Sequence, residues 1–349
     1  MAITRVAACH AAPHFLCAYK TAEKAISLIH RASKNKANLI VFPETFISAF
    51  PIWSALRPPT HNHILFQRMV YQSIYANGEE VQAIRDATRE TNTTVSIGIS
   101  EKSHASVGCL YNSNLIIDAG EVVVHHRKLV PTFFEKLTWS PGDGHGLRIA
   151  DTKHGRIGAL MCGENTNPLA RYSLMGQREQ IHISSWPAVW PTRLPSSPLE
   201  KRGEGSQHSA NYDNVLANRI RAGAHCFEAK SFGVMCSAVL GQEAIDMIAV
   251  GSSSEDTIRH ALERSPRGVS MFLDPTGSPL RSLTVDDSET GAQRPVEFLQ
   301  NEEGVLYADL DLERCVEGKQ YRDVVEGYQR LDVFQLQVNR ERQDPVVFK

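Results

Sequence analysis

Three ionisable residues of this chain each follow an apolar run. Glu44 comes directly after LIVFP, Lys128 after VVVHHR and Cys162 after IGALM. Each run reads as a buried strand, and in layered α/β folds ligands gather at the carboxyl ends of strands. A carboxylate, an ammonium and a thiol on one edge would complete the set for acyl transfer. The thiol attacks an electrophilic carbon. The carboxylate takes its proton and later activates water, and the ammonium holds the negative charge that develops on the substrate. Each residue alone also has an ordinary explanation. A strand-end cysteine usually packs in the core, a glutamate there usually turns into solvent or caps a helix, and a lysine there is usually solvated. A Cys–His dyad is less favoured, because its nearest candidates, His125 and His126, are strand neighbours that must face opposite ways.

The elements that must position these groups show as patterns. Residues 3–9 (ITRVAAC) read as a short buried strand, and 21–34 place Ala22, Ala25, Ile26, Ile29 and Ala32 on one helical face. Residues 39–42 are apolar without a break, as in a strand buried on both sides. Residues 77–91 read as a helix and 94–100 as a strand. Two hairpins are expected at 112–126 and 147–161, with turns around 118–120 and 153–155. Helices at 167–177 and 208–230 alternate with strands at 180–185, 232–240 and 304–312, and 270–280 holds two short strands around a Pro-Thr-Gly turn. Residues 195–209 and 251–268 read as surface loops, and GDGHG (142–146) as a turn rather than a phosphate loop. The fold class is α/β (mixed α+β), with a mixed sheet in a layered domain. No internal repeat or low-complexity linker divides it.

Composition narrows the class further. There are 37 basic and 39 acidic residues, for a net charge of -2. No basic excess exists to neutralise phosphates, which argues against nucleic acid and against a charge-driven membrane role. Seven cysteines, an odd number with no CxxC pair, argue against a disulfide framework or a thiolate zinc site, and fit a reducing cytoplasm. The N-terminus lacks a signal-peptide pattern, and no apolar run approaches the ~18 residues of a spanning helix.

At these residues the chain resembles the nitrilase branch of the carbon–nitrogen hydrolase superfamily. VFPETF (41–46) resembles the segment carrying the catalytic glutamate, here Glu44. HRKLVPTFFEKLTWSPGDG (126–144) resembles the lysine segment, here Lys128, with a second glutamate at Glu135. GALMCGENTNPLARYSLMGQREQIHISSWP (158–187) resembles the nucleophile segment, here Cys162. Many members carry tryptophan after the cysteine. This chain has Gly163, which bears on substrate choice rather than on the reaction, and the Cys-x-Glu spacing survives in Glu164.

The resemblance implies an αββα sandwich that pairs into an αββα–αββα homodimer and extends into spirals or filaments. It implies no metal and no organic cofactor. A carbon–nitrogen hydrolase domain over 1–310 is expected, with 311–349 as a C-terminal extension at an oligomer interface. The implied reaction converts an organic nitrile and two waters to a carboxylic acid and ammonia through a cysteine thioimidate and an acyl-thioester. Amidase or carbamoylase activity, and cyanide or nitrile hydration that stops at the amide, use the same Glu-Lys-Cys set. A non-catalytic assembly scaffold is the contrasting class. Gly163, Trp186, Tyr172, Phe50 and Trp53 are the candidate substrate-binding residues, with Pro187 and Trp190 beside them.

Overall fold

The computed structural model describes residues 3–191, 213–285 and 292–346. Its strands in chain order are β1 (Ile3–His10), β2 (Leu39–Val41), β3 (Thr94–Lys102), β4 (Leu110–Asp118), β5 (Glu121–Arg127), β6 (Ala150–Thr152), β7 (Gly155–Met161), β8 (Ile181–Trp186), β9 (Phe232–Ser237), β10 (Ser270–Leu273), β11 (Leu283–Val285), β12 (Gln293–Pro295), β13 (Phe298–Leu299) and β14 (Gly304–Asp311). The helices are α1 (Ala18–Lys34), α2 (Trp53–Leu56), α3 (His63–Gln72), α4 (Glu79–Thr91), α5 (Pro168–Met175), α6 (Asn214–Ala229), α7 (Gln242–Ala249), α8 (Glu255–Arg264) and α9 (Arg314–Tyr321).

Strand alternation divides the side chains between two layers. In β1, Val6 and Ala8 join a core shared with Ile157, Ile183 and Val234 of other strands. Ala7 and Cys9 point the other way, into a core shared with Ala25 and Ile29 of α1 and Ile84 of α4. Two sheets therefore face each other across the first core. One runs β12-β11-β14-β1-β2-β3-β4-β5 and the other β13-β10-β9-β8-β7-β6. Helices cover both outer faces: α1 and α4 on the first sheet, and α5 and α6 on the second, where Leu174 packs near Leu160 and Cys226 near Met235. The result is the αββα sandwich that the family resemblance implies, where the residue patterns alone indicated only mixed strands and helices.

Both hairpins form, as β4–β5 and β6–β7. The 251–268 loop is a correction. Its Gly-Ser start reads as a loop, but α8 follows, and Ile258, Ala261 and Leu262 pack at helical spacing into a core with Ile245 and Ile248 of α7. The second strand expected in 270–280 reduces to one bridge, Leu273 to Pro279. The 195–209 loop lies outside the described residues, and α6 starts at Asn214, capped by the Asp213 carboxylate. Residues 322–346 form neither helix nor strand but are tied down. Arg342 bonds the Asp143 carboxylate and the His125 carbonyl, and Gln329 donates to the Tyr172 hydroxyl.

The fold delivers its reactive groups by crossing chain segments closely. The turn after β2 passes directly over β3 at Gly98. A Cβ there would sit 2.3 Å from Thr45 N and 2.6 Å from Pro43 O. Thr45 itself has φ 48, a strained value for a threonine. Gly98→Ala should lower the unfolding free energy by about 1–3 kcal/mol, read by urea denaturation. An unchanged midpoint would show that the crossing tolerates a methyl group.

Candidate active site

Glu44 follows β2, Lys128 follows β5 and Cys162 follows β7, so two strands of one sheet and one of the other meet at a shared edge. The Lys128 side chain is fully buried, as are those of Glu44 and Glu135. Its Nζ lies 2.7 Å from Glu44 Oε1 and 2.9 and 2.8 Å from the two oxygens of Glu135. Asn112 of β4 donates to the same Glu44 oxygen at 2.7 Å, and its own carbonyl oxygen accepts from Thr45 Oγ1. Glu44 Oε2 is buried and has no hydrogen-bond partner among the described residues. Carboxylate oxygens of Glu44 and Glu135 and the Cys162 Sγ lie within 4.8 Å of one another.

The electrostatics follow from burial and pairing. Burial alone would pull the Lys128 pKa down, but Glu135 and Glu44 outweigh it and hold the group well above its ordinary value. Burial pushes Glu44 up to about 7, helped by Glu135 and opposed by Lys128. Burial likewise raises Glu135. Burial raises the Cys162 thiol above its usual range, against the pull of Lys128. The resting thiol is therefore protonated, beside a carboxylate poised near neutrality with one unused oxygen. That pairing can move a proton.

Cys162 opens a short 3₁₀ turn (Cys162–Thr166) with φ 47, a strained left-handed value. Glu164 braces this turn against the lysine segment. Its carboxylate accepts from the backbone N–H of Met161 and of Leu129, and lies 3.0 Å from His126 Nε2. Burial would raise its pKa, but His126 and these N–H groups hold it below the usual range. His125 faces the other way, toward Glu101. Neither histidine is paired with Cys162.

A cavity of about 180 Å³ opens on Cys162. Gly163, Trp186, Trp190, Asn218, Arg221 and Thr132 are among the residues around it. Gly163 answers a spatial need: a Cβ there would come 2.7 Å from Thr132 Oγ1. The Trp186 indole N–H is buried without a partner among the described residues. Phe50 stands one layer back. It packs on Trp190 and borders a separate small void with Glu44. Two expected substrate contacts are corrected. Trp53 is buried edge-on against Phe15 in the neighbouring core and lines no part of the cavity. Tyr172 lies on α5, where its hydroxyl holds the C-terminal segment through Val325 and Gln329.

The sequence reading missed Asn112, Thr132 and the α6 residues. A signal existed for Asn112 and for the α6 residues, but not for Thr132. Asn112 and Asn114 alternate on one face of β4 ahead of the apolar Leu115–Ile117, and Asn214, Asn218 and Arg221 recur at helical spacing on one face of α6. Among the described residues, two clusters have the donor types of a metal site: Glu44, Glu135 and Cys162, and Glu179, His182 and His225. In the first, the Lys128 ammonium already occupies the place of a cation.

The carbon-nitrogen hydrolase family profile matches residues 5–320. A nitrilase of Penicillium rubens is 31% identical over 99% of this chain and 95% of its own length. An aliphatic nitrilase of Rhodococcus rhodochrous is 30% identical over 98% and 84%, and an arylacetonitrilase of Hypocrea virens 31% over 97% and 92%. Among solved structures, Saccharomyces cerevisiae Nit3, a member of the nitrilase superfamily, superposes with a TM-score of 0.64 at 17% identity, covering 94% of this chain and 97% of that one.

If Glu44 is the base for Cys162, thiol reactivity must follow its ionisation. Below about pH 7 Glu44 is protonated and cannot accept the proton; above it the carboxylate is free. Alkylation of Cys162 by iodoacetamide, followed by mass spectrometry, should speed up as pH rises through about 7, and Glu44→Gln should remove that step. A wild-type profile in the variant would exclude Glu44 as the base.

Proposed function

The chain belongs to the carbon–nitrogen hydrolase family, and from that premise we propose that it hydrolyses an organic nitrile to a carboxylic acid and ammonia with Cys162 as nucleophile. The observation that carries this reading is the buried Cys162 sulfur grouped within 4.8 Å with carboxylate oxygens of Glu44 and Glu135, where Glu44 Oε2 has no partner among the described residues and the Lys128 ammonium lies against both carboxylates.

Glu44 takes the Cys162 proton as sulfur bonds to the nitrile carbon, and a π pair of the triple bond moves to nitrogen. That nitrogen receives the proton, giving a thioimidate. Glu44 then deprotonates a water that adds to the same carbon. The tetrahedral intermediate expels the protonated nitrogen as ammonia and leaves an acyl-thioester. A second water, activated in the same way, releases the acid and restores the thiol. Lys128 stabilises the charge that grows on the substrate, together with the Gly163 N–H at the start of the turn. Glu135 keeps Lys128 charged and oriented through two hydrogen bonds.

Amide hydrolysis is the second reading, because the same groups would form the same acyl-thioester. Identity of about 30% to proteins named nitrilases favours the nitrile. Hydration that ends at the amide would follow if the tetrahedral intermediate expelled sulfur instead of ammonia. We place the protein in the cytoplasm, on its unpaired cysteines, and as a homodimer able to extend further. Exposed Tyr328, Leu331, Val333 and Phe334 on the C-terminal segment offer apolar surface for a second copy. No helix among the described residues is long and apolar enough to cross a membrane.

An ammonia-release screen across aliphatic, aromatic and arylacetonitriles and their amides tests the reading. At least one nitrile should give acid and ammonia. Cys162→Ala should lose all turnover while its melting temperature stays near wild type. Turnover retained in that variant would remove Cys162 from the mechanism.

A further inference from the structure

Behind Cys162 lies a buried polar chain that the reaction scheme does not use. Asn165 sits inside the nucleophile turn, 1% exposed. Its Nδ2 donates to the carbonyls of Leu160 at 3.1 Å and Cys162 at 3.2 Å. Its Oδ1 accepts from Ser184 Oγ at 2.8 Å and faces His182 Nε2 at 2.9 Å. On the far side of that ring, His182 Nδ1 lies 2.7 Å from Glu179 Oε1. The other Glu179 oxygen lies 2.6 Å from His225 Nε2, and the two rings stack at 3.5 Å.

Donor and acceptor counting fixes the direction of this chain. The Asn165 amide cannot turn over without pressing its oxygen against two carbonyls. With the amide set, its oxygen lies 2.9 Å from His182 Nε2, a contact that two acceptors would avoid, so Nε2 carries a hydrogen. Nδ1 faces the Glu179 carboxylate and donates there as well. Burial would raise the Glu179 pKa, but His182 and His225 bring it down to about 2, so the carboxylate stays ionised. Burial, followed by the influence of His182, lowers His225 to about 4, so its ring is neutral.

The consequence lies on the opposite side of one peptide bond. Cys162 C=O and Gly163 N–H belong to the same planar unit and point in opposite directions. We propose that Asn165, held by the Glu179–His182 pair, is a positioning residue: by gripping the Cys162 carbonyl it aims the Gly163 N–H at the oxyanion or nitrogen anion formed on Cys162. The strained φ of 47 at Cys162 makes such a grip necessary, since a free peptide would relax. The inference rests on the reading of Cys162 as nucleophile.

The test replaces Asn165 by Asp. Asn165→Asp keeps the acceptor toward His182 and Ser184 but sets an oxygen against the two carbonyls. The first readout does not need turnover. The Cys162 thiol adds to propionaldehyde: Glu44 takes the S–H proton as the S–C bond forms, the C=O π pair moves to oxygen, and the Gly163 N–H should bind that oxygen. Calorimetry should show propionaldehyde bound at least about tenfold more weakly by the variant, in line with the loss of an oxyanion donor. On a nitrile the variant should lose at least about tenfold in kcat with KM within about threefold. Cys162 should still be fully alkylated by iodoacetamide. If Asn165→Asp does not fold, His182→Gln, which keeps a donor toward Asn165, should stay within about threefold of wild type while His182→Leu loses at least about tenfold. Wild-type aldehyde affinity in Asn165→Asp, or equal behaviour of the two His182 variants, would overturn the inference. Absence of nitrile turnover in the wild type would instead overturn the proposed function, and the aldehyde affinities would still decide this one.

Discussion

The site depends on one buried cation. Lys128 has no contact with solvent and is held by two carboxylates that are equally buried. Three charges withdrawn from water are tolerated only because each satisfies another. Removing one partner of such a set typically costs about 3–5 kcal/mol, because it strands the charge that remains. The burial that makes the set costly also makes it reactive. It lifts Glu44 to about 7 and keeps the Cys162 thiol protonated, the starting state that the proposed proton transfer requires. A solvated version of the same three residues would have an acidic glutamate, a screened lysine and no reason to transfer a proton.

The sandwich exists to hold this arrangement. Glu44 and Lys128 come from one sheet and Cys162 from the other, so their spacing is set by how the two sheets pack, through residues such as Val6, Ile157 and Val234. Local devices then refine it. Gly98 lets the Glu44 turn cross β3, Gly163 leaves room for Thr132, and Glu164 ties the cysteine turn to the backbone at Leu129. Strained backbone marks the three segments. Thr45, Phe133 and Cys162 all have positive φ, each in a stretch that carries a reactive group.

Much of this was legible in the sequence, for definite reasons. The unbroken apolar run before Glu44 reveals a strand buried on both faces, and the period-2 and period-3.6 patterns locate the hairpins and α1. What was not legible was long-range. The pairing of β1 with β14, which joins Ile3 to Asp311, has no local signature. Nor has the chain from Glu179 through His182 to Asn165, whose members read singly as ordinary polar residues. The aromatic candidates divided for the same reason. Trp186 reaches the cavity, while Trp53, equally apolar and equally close to a motif, packs into the core, and only the path of the chain separates them.

The central claim is that carbon bonds covalently to Cys162 during turnover. Acid quenching of the protein within the first turnovers on a nitrile, followed by peptide mass spectrometry, tests it most directly. The peptide that contains Cys162 should carry the added mass of the substrate's acyl or imidoyl group. Turnover without any adduct there, or with the adduct on Cys109, Cys226 or another cysteine, would contradict it.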